Sequence, residues 1–107
     1  MAHFFHTDDL NRERAEKNKL YLEFLRVPAM SAGVYVLPAG GTDPQKPHRE
    51  DEMYYVVRGL ARMQIGSENA EVRAGWVIFV EAEAEHRFYD IAEELEVLVF
   101  FAPAEQE

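Results

Sequence analysis

The chain has no cysteine, which removes disulfide staples, thiolate metal sites and cysteine nucleophiles and leaves the redox compartment open. It is also short of positive charge: 11 Lys and Arg stand against 20 Asp and Glu, a formal net charge of −9 at pH 7. Without a Lys/Arg cluster to neutralise phosphates, the sequence argues against a nucleic-acid partner and against an anionic membrane surface. Long apolar runs are missing as well. Leu95 to Ala104 is interrupted by Glu96 and meets Pro103, too short to span a bilayer. The first residues carry neither a basic flank nor an apolar stretch of signal-peptide length, so a cytoplasmic location is expected. What is there is ordinary for a globular chain: 107 residues, 48% of them hydrophobic, enough for one domain with its own core.

Hydrophobic period divides the chain in two. Residues 1–18 form an N-terminal segment with a short helix expected over Thr7 to Asn18. Thr7 serves as its cap, Asp8 and Asp9 suit the first turn, and Glu13 and Lys17 stand at i,i+4. From Lys19 to the end the period is that of strands. Leu20 to Val27 alternates up to Pro28, and Gly33 to Leu37 follows, halted by Pro38-Ala39-Gly40-Gly41. The run from His48 closes at Arg58-Gly59, where a hairpin into Leu60 to Ile65 is expected. Ala70 to Arg73 is a short strand. Trp76 to Val80, nearly all apolar, reads as a strand buried on both sides, with the single tryptophan in the core. His86 to Tyr89 and Leu95 to Phe101 complete the set, with a turn at Glu93-Glu94. Eight or nine short strands behind one helix predict an all-β sandwich or barrel.

Within this frame Pro47-His48-Arg49-Glu50-Asp51-Glu52-Met53-Tyr54-Tyr55 concentrates the chemistry. On a strand, His48, Glu52, Tyr54 and Val56 share one face, which turns apolar further along. A histidine and a carboxylate at the mouth of an apolar interior need a compensating cation or hydrogen bonds. His86, opening another strand with the parity of Phe88, would bring a second imidazole, and two imidazoles with one carboxylate suit a divalent metal. The competing reading is a plain hydrogen-bonded His–Glu pair at an exposed strand end. His3 and His6 are read as accidental surface histidines.

The spacing around these residues resembles that of a small single-domain cupin of the cupin 2, conserved-barrel type. The family's first motif runs Gly, five residues, His-x-His, three or four residues, Glu, six residues, Gly. Here Gly40 is followed by five residues, Lys46-Pro47-His48, three residues, Glu52, six residues and Gly59. The second motif runs Gly, five residues, Pro-x-Gly, two residues, His, three residues, Asn. Here it reads Gly75, five residues, Glu81-Ala82-Glu83, two residues, His86, three residues, Asp90. The resemblance implies a double-stranded β-helix, or jelly-roll barrel, over residues 19–107. It also implies a divalent metal held by His48, Glu52 and His86.

Departures from the pattern shape that expectation. Lys46 stands where the family has its first metal histidine, and an ammonium cannot ligate. The neighbouring Gln45 is a candidate to offer an amide oxygen instead, and Lys46 a candidate anion clamp or acid. Nitrogen and oxygen ligands suit Mn, Fe, Ni, Co or Zn without choosing among them. Tyr35, Tyr54, Phe79 and Phe88 are candidates for substrate-pocket walls or for core packing. The resemblance implies two functions: a metal-dependent enzyme of the dioxygenase or isomerase class acting on a small polar metabolite, or a non-catalytic small-molecule or sugar-binding barrel. The Leu20 to Val27 strand, apolar on both faces, is expected to pair with a second copy in a homodimer.

Overall fold

Two long strands organise the molecule. The chain was obtained as a computed structural model, and the structure describes residues 3–106. In order, its elements are α1 (Thr7–Glu16), β1 (Tyr21–Val27), β2 (Met30–Leu37), β3 (Asp51–Ile65), β4 (Glu68–Arg73), β5 (Val77–Val80) and β6 (His86–Ala102). All strand pairs are antiparallel. The sheet order is β1-β2-β6-β3-β4, with β5 also on β3. The first half of β3 lies between β5 and the end of β6. Its second half lies between β4 and the beginning of β6.

The bend between those halves curls the sheet. Register shifts along β3 and β6 fall between Val56 and Arg62, as extra residues bulge out of the ladder and increase its twist. Gly59 sits there with φ +106, and a Cβ on it would lie 2.3 Å from the Glu94 carbonyl oxygen. Side chains from β2 to β6 meet inside the curl, among them Leu37, Val56, Met63, Val72, Val80 and Val97. A smaller cluster of Leu22, Val34 and Val36 lies on the outer face under Leu10 of α1.

The all-β architecture with one short helix agrees with the sequence expectation; several boundaries do not. No hairpin forms at Arg58-Gly59 and no turn at Glu93-Glu94, so the described residues hold six strands rather than eight or nine. The glycine serves a bulge inside a continuous strand. Arg58 holds the acidic pair of β6 in place, donating to Glu96 at 2.8 Å and to Glu94 at 3.0 Å. The helix cap is His6, whose Nδ1 accepts from the Asp8 N–H at 3.0 Å, rather than Thr7, and the helix ends at Glu16. Trp76 to Val80 is not buried on both sides. Ile78 and Val80 point inward, while Trp76, Val77 and Phe79 remain 46%, 59% and 56% exposed. The cause is position: β5 pairs only with β3, and α1 packs over β1 and β2 at the other end of the sheet.

Candidate metal centre

Because the sheet curls, the start of β3 faces the start of β6 across the interior. Glu52, the second residue of β3, points inward and is 1% exposed. His86 is the first residue of β6, and its Nε2 lies 3.1 Å from Glu52 Oε1. His48 is not on the strand, as its spacing to Glu52 suggested, but in the loop preceding β3, which begins at Asp51. Its Nε2 lies 4.0 Å from Glu52 Oε1. One ligand atom from each of the three residues lies within 4.8 Å of the others.

The loops that carry the two histidines clasp each other. The Glu83 N–H donates to the His48 carbonyl at 2.7 Å, and the Ala82 N–H donates to Asp51 Oδ1 at 2.9 Å. Glu83 stands at the glycine position of the second motif and keeps a left-handed φ of +70.

Hydrogen bonds decide which nitrogen each imidazole presents. The Ala84 carbonyl can only accept, so its 2.9 Å contact makes His86 Nδ1 the donor and leaves Nε2 of the neutral ring a lone pair. That lone pair faces a carboxylate. His86 Nε2 and both oxygens of Glu52 are buried without an aligned hydrogen-bond partner. The same holds in part for His48: Nδ1 lies 3.0 Å from Glu105 Oε2, while Nε2 faces Gln45 Oε1 at 3.3 Å.

Gln45 is oriented by its own partners. Its Nε2 donates to Asp43 Oδ2 at 3.0 Å, so its Oε1 is turned towards His48 and accepts from the Tyr54 hydroxyl at 2.9 Å. Asp43 is a buried hub, accepting also from the Tyr35 hydroxyl at 2.6 Å and from the Phe88 N–H at 3.0 Å.

In their neutral Nδ1–H forms the two imidazoles thus turn Nε2 towards Glu52, with Gln45 Oε1 beside His48 as a fourth oxygen or nitrogen donor to a cation. Converging acceptors repel unless protons or a cation lie between them, and this donor set suits a divalent metal. Without a cation the site holds its protons. The Glu105 carboxylate pushes the His48 imidazole up, against burial, with Glu52 adding to the rise. Burial pushes His86 down, but the Glu52 carboxylate and the Ala84 carbonyl outweigh it and the net direction is upward. Burial, then the Glu52 charge, pushes the Tyr54 phenol well up.

The remaining candidates separate by place. Tyr54 and Phe88 are buried in the core and meet edge-to-face at 5.0 Å. Tyr35 is buried and borders a cavity of about 280 Å³ beside His48, walled also by Leu20, Tyr21, Val99 and Phe101. Phe79 lies on the outward face of β5 and borders another cavity, of about 590 Å³, with Met63, Val72 and Ile78, away from the histidine–carboxylate cluster. Lys46 is exposed and borders a separate cavity of about 340 Å³ with Arg87 and Gln64. Asp43, Gln45 and His86 line that space too, although the His86 imidazole is only 1% exposed. Asp43 and Glu105 escaped sequence reasoning: Asp43 falls on an unspecified position within the first motif, and Glu105 lies outside both motifs and reaches the site through the tertiary fold.

Fold and site together define a jelly-roll β-barrel with a histidine–carboxylate cluster inside. Residues 33–102 match the cupin domain, and the chain belongs to the cupin family. An uncharacterized protein of Streptomyces coelicolor is 48% identical over 101 residues, covering 94% of this chain and 96% of that one. A solved Bacillus halodurans structure superposes with a TM-score of 0.82 at 14% identity, over 100% of this chain and 85% of the other. One from Thermus thermophilus gives 0.75 at 25% identity, over 96% and 99%. Two further matched structures are longer, and this chain spans 63% and 62% of them.

Proposed function

We propose that this cupin binds a divalent metal through His48, Glu52 and His86, with Gln45 Oε1 as a fourth oxygen, and that it is a metal-dependent enzyme of the dioxygenase or isomerase class. One observation carries the reading: a carboxylate 1% exposed, with no aligned hydrogen-bond partner on either oxygen, 3.1 Å from Nε2 of a buried imidazole. A bound metal would supply a Lewis acid with open positions for a substrate oxygen. The protein's own groups do the rest. Asp43 and Tyr54 aim the Gln45 oxygen, Ala84 aims His86, and Tyr35, Val99 and Phe101 wall the cavity in which a small molecule would approach His48. Those walls favour a substrate with an apolar body as well as a polar, metal-binding end.

Elemental analysis of untagged protein, with equilibrium dialysis against Mn²⁺, Co²⁺ and Zn²⁺, tests the site. The expected outcome is one metal per chain, lost in His86→Ala and in Glu52→Ala. Equal retention by wild type and variants would refute it. If metal is bound, oxygen uptake and substrate turnover across small diketones, hydroxy acids and sugars separate enzyme from binding protein. We also assign the chain to the cytoplasm and to a homodimer joined through β1, which is an edge of the sheet. Light scattering at micromolar concentration that reports a 12.4 kDa particle would overturn the dimer.

A further inference from the structure

We propose that Glu105 is a positioning residue of this centre: its carboxylate holds the Nδ1–H of His48 and so delivers Nε2, as a lone pair, to the cation. The inference rests on the metal-binding reading above and adds a residue outside every spaced motif of the chain. Glu105 Oε2 lies 3.0 Å from His48 Nδ1, with both side chains mostly buried. An ionised carboxylate only accepts, so Nδ1 carries a hydrogen, and in the neutral ring Nε2 then keeps the lone pair.

The tail is fastened so that this contact is built in. The Glu105 N–H donates to Ser31 Oγ at 2.9 Å, Arg26 donates to the Glu105 carbonyl at 2.6 Å, and the Gln106 N–H donates to Glu50 Oε2 at 3.1 Å. Ser31 and Glu50 are themselves buried. The His48 ring is braced from the other side by Phe101, edge-to-face at 4.9 Å. The two histidines thus use one device, an acceptor on Nδ1 that frees Nε2. For His86 the acceptor is a neutral carbonyl close in sequence. For His48 it is a charged carboxylate brought from the far end of the chain. The negative charge makes the His48 nitrogen the more basic donor to a cation.

The three bonds that fasten the tail use backbone atoms of residues 105 and 106, so side-chain substitution of Glu105 leaves them in place. Co²⁺ affinity is measured by calorimetry and visible absorption for wild type, Glu105→Gln and Glu105→Ala. Histidine ¹⁵N shifts of the metal-free proteins, recorded at a pH where the imidazoles are neutral, report the tautomers. The expected result is a roughly 10–100-fold weaker affinity in Glu105→Ala, with an altered cobalt spectrum. In that variant His48 shifts towards the Nε2–H tautomer while His86 keeps its own. The loss in Glu105→Gln, whose amide oxygen still accepts from Nδ1, is smaller. Unchanged affinity and an unchanged His48 tautomer in Glu105→Ala would overturn the assignment. Wild type that binds no Co²⁺ would instead overturn the metal reading on which it rests, and the tautomer measurement tells the two failures apart.

Discussion

Asp43 shows how much one buried side chain can organise. It accepts from the Tyr35 hydroxyl, the Gln45 side chain and backbone, and the Phe88 N–H, tying the loop after β2 to β6. Asp43→Ala strands those donors inside the barrel. The expected cost is about 2–3 kcal/mol in urea melts, together with weaker metal binding as the Gln45 amide loses its orientation. A melt unchanged from wild type would remove Asp43 from the scaffold of the site. The phenols of Tyr21 and Tyr35 make a second prediction. Burial pushes both well above the ordinary tyrosine value; a charge from Glu105 adds to the rise at Tyr21, and the Asp43 hydrogen bond adds to it at Tyr35. In the unfolded chain they ionise at about pH 10. The fold's preference for the neutral phenol is therefore intact below that pH and is lost as the pH rises through it towards the raised folded values. Stability should fall between about pH 9 and 11, and a flat profile over that range would contradict it. At this scale the sequence showed His48, Glu52 and His86 through their spacing. It hid Glu105, because a partner made by chain folding leaves no local pattern, and Asp43, because its place between Gly40 and Lys46 is unspecified in the motif.

Among the elements, the long strands were the least legible. Arg58-Gly59 has the composition of a turn, yet β3 runs through it, and only the pairing with β6 shows that the glycine serves a bulge. The same backbone requirement is met well at one position and poorly at another. Gly59, at φ +106 against the Glu94 carbonyl, has neither the conformational freedom nor the space for a side chain. Gly59→Ala should cost about 2–3 kcal/mol, combining backbone strain with displacement of β6. Glu83 holds φ +70 with a full side chain exposed to solvent. Glu83→Gly should therefore stabilise the fold, by about 0.5–1 kcal/mol, and leave metal affinity within about twofold. Opposite signs in paired thermal melts check both; a destabilised Glu83→Gly would mean that the carboxylate has a partner in solution. Strand β5 is ambiguous in sequence for a related reason. An apolar run such as Trp76 to Val80 looks the same whether it is covered on one face or two, and only the placement of α1 over β1 and β2 decides.

Across the whole molecule, the centre draws together parts that the sheet and the loop and tail hydrogen bonds bring to one place: the loop carrying Gln45 and His48, the start of β3, the start of β6 and, through Glu105, the tail. A cation bound there binds only the folded chain, since the four acceptors converge nowhere else. At a free concentration of about a hundred times its dissociation constant it should add about 2.7 kcal/mol, raising the melting temperature by on the order of 10 °C for a chain of this size. Glu52→Gln separates this linkage from ordinary core packing. The substitution keeps the shape of the side chain but replaces a buried anion by an amide, whose NH₂ can donate to the His86 lone pair 3.1 Å from the present oxygen. The variant should melt at least as high as the metal-free wild type and show no rise on adding Zn²⁺ or Co²⁺. The wild type should show the full rise, reversed by a chelator. A Glu52→Gln protein that melts far below wild type in the absence of metal would identify Glu52 as a structural anion. Matching rises in both proteins would place the bound cation elsewhere. The predicted pattern is that of a site kept at some expense in stability, a buried carboxylate that the fold would hold more easily as its neutral isostere.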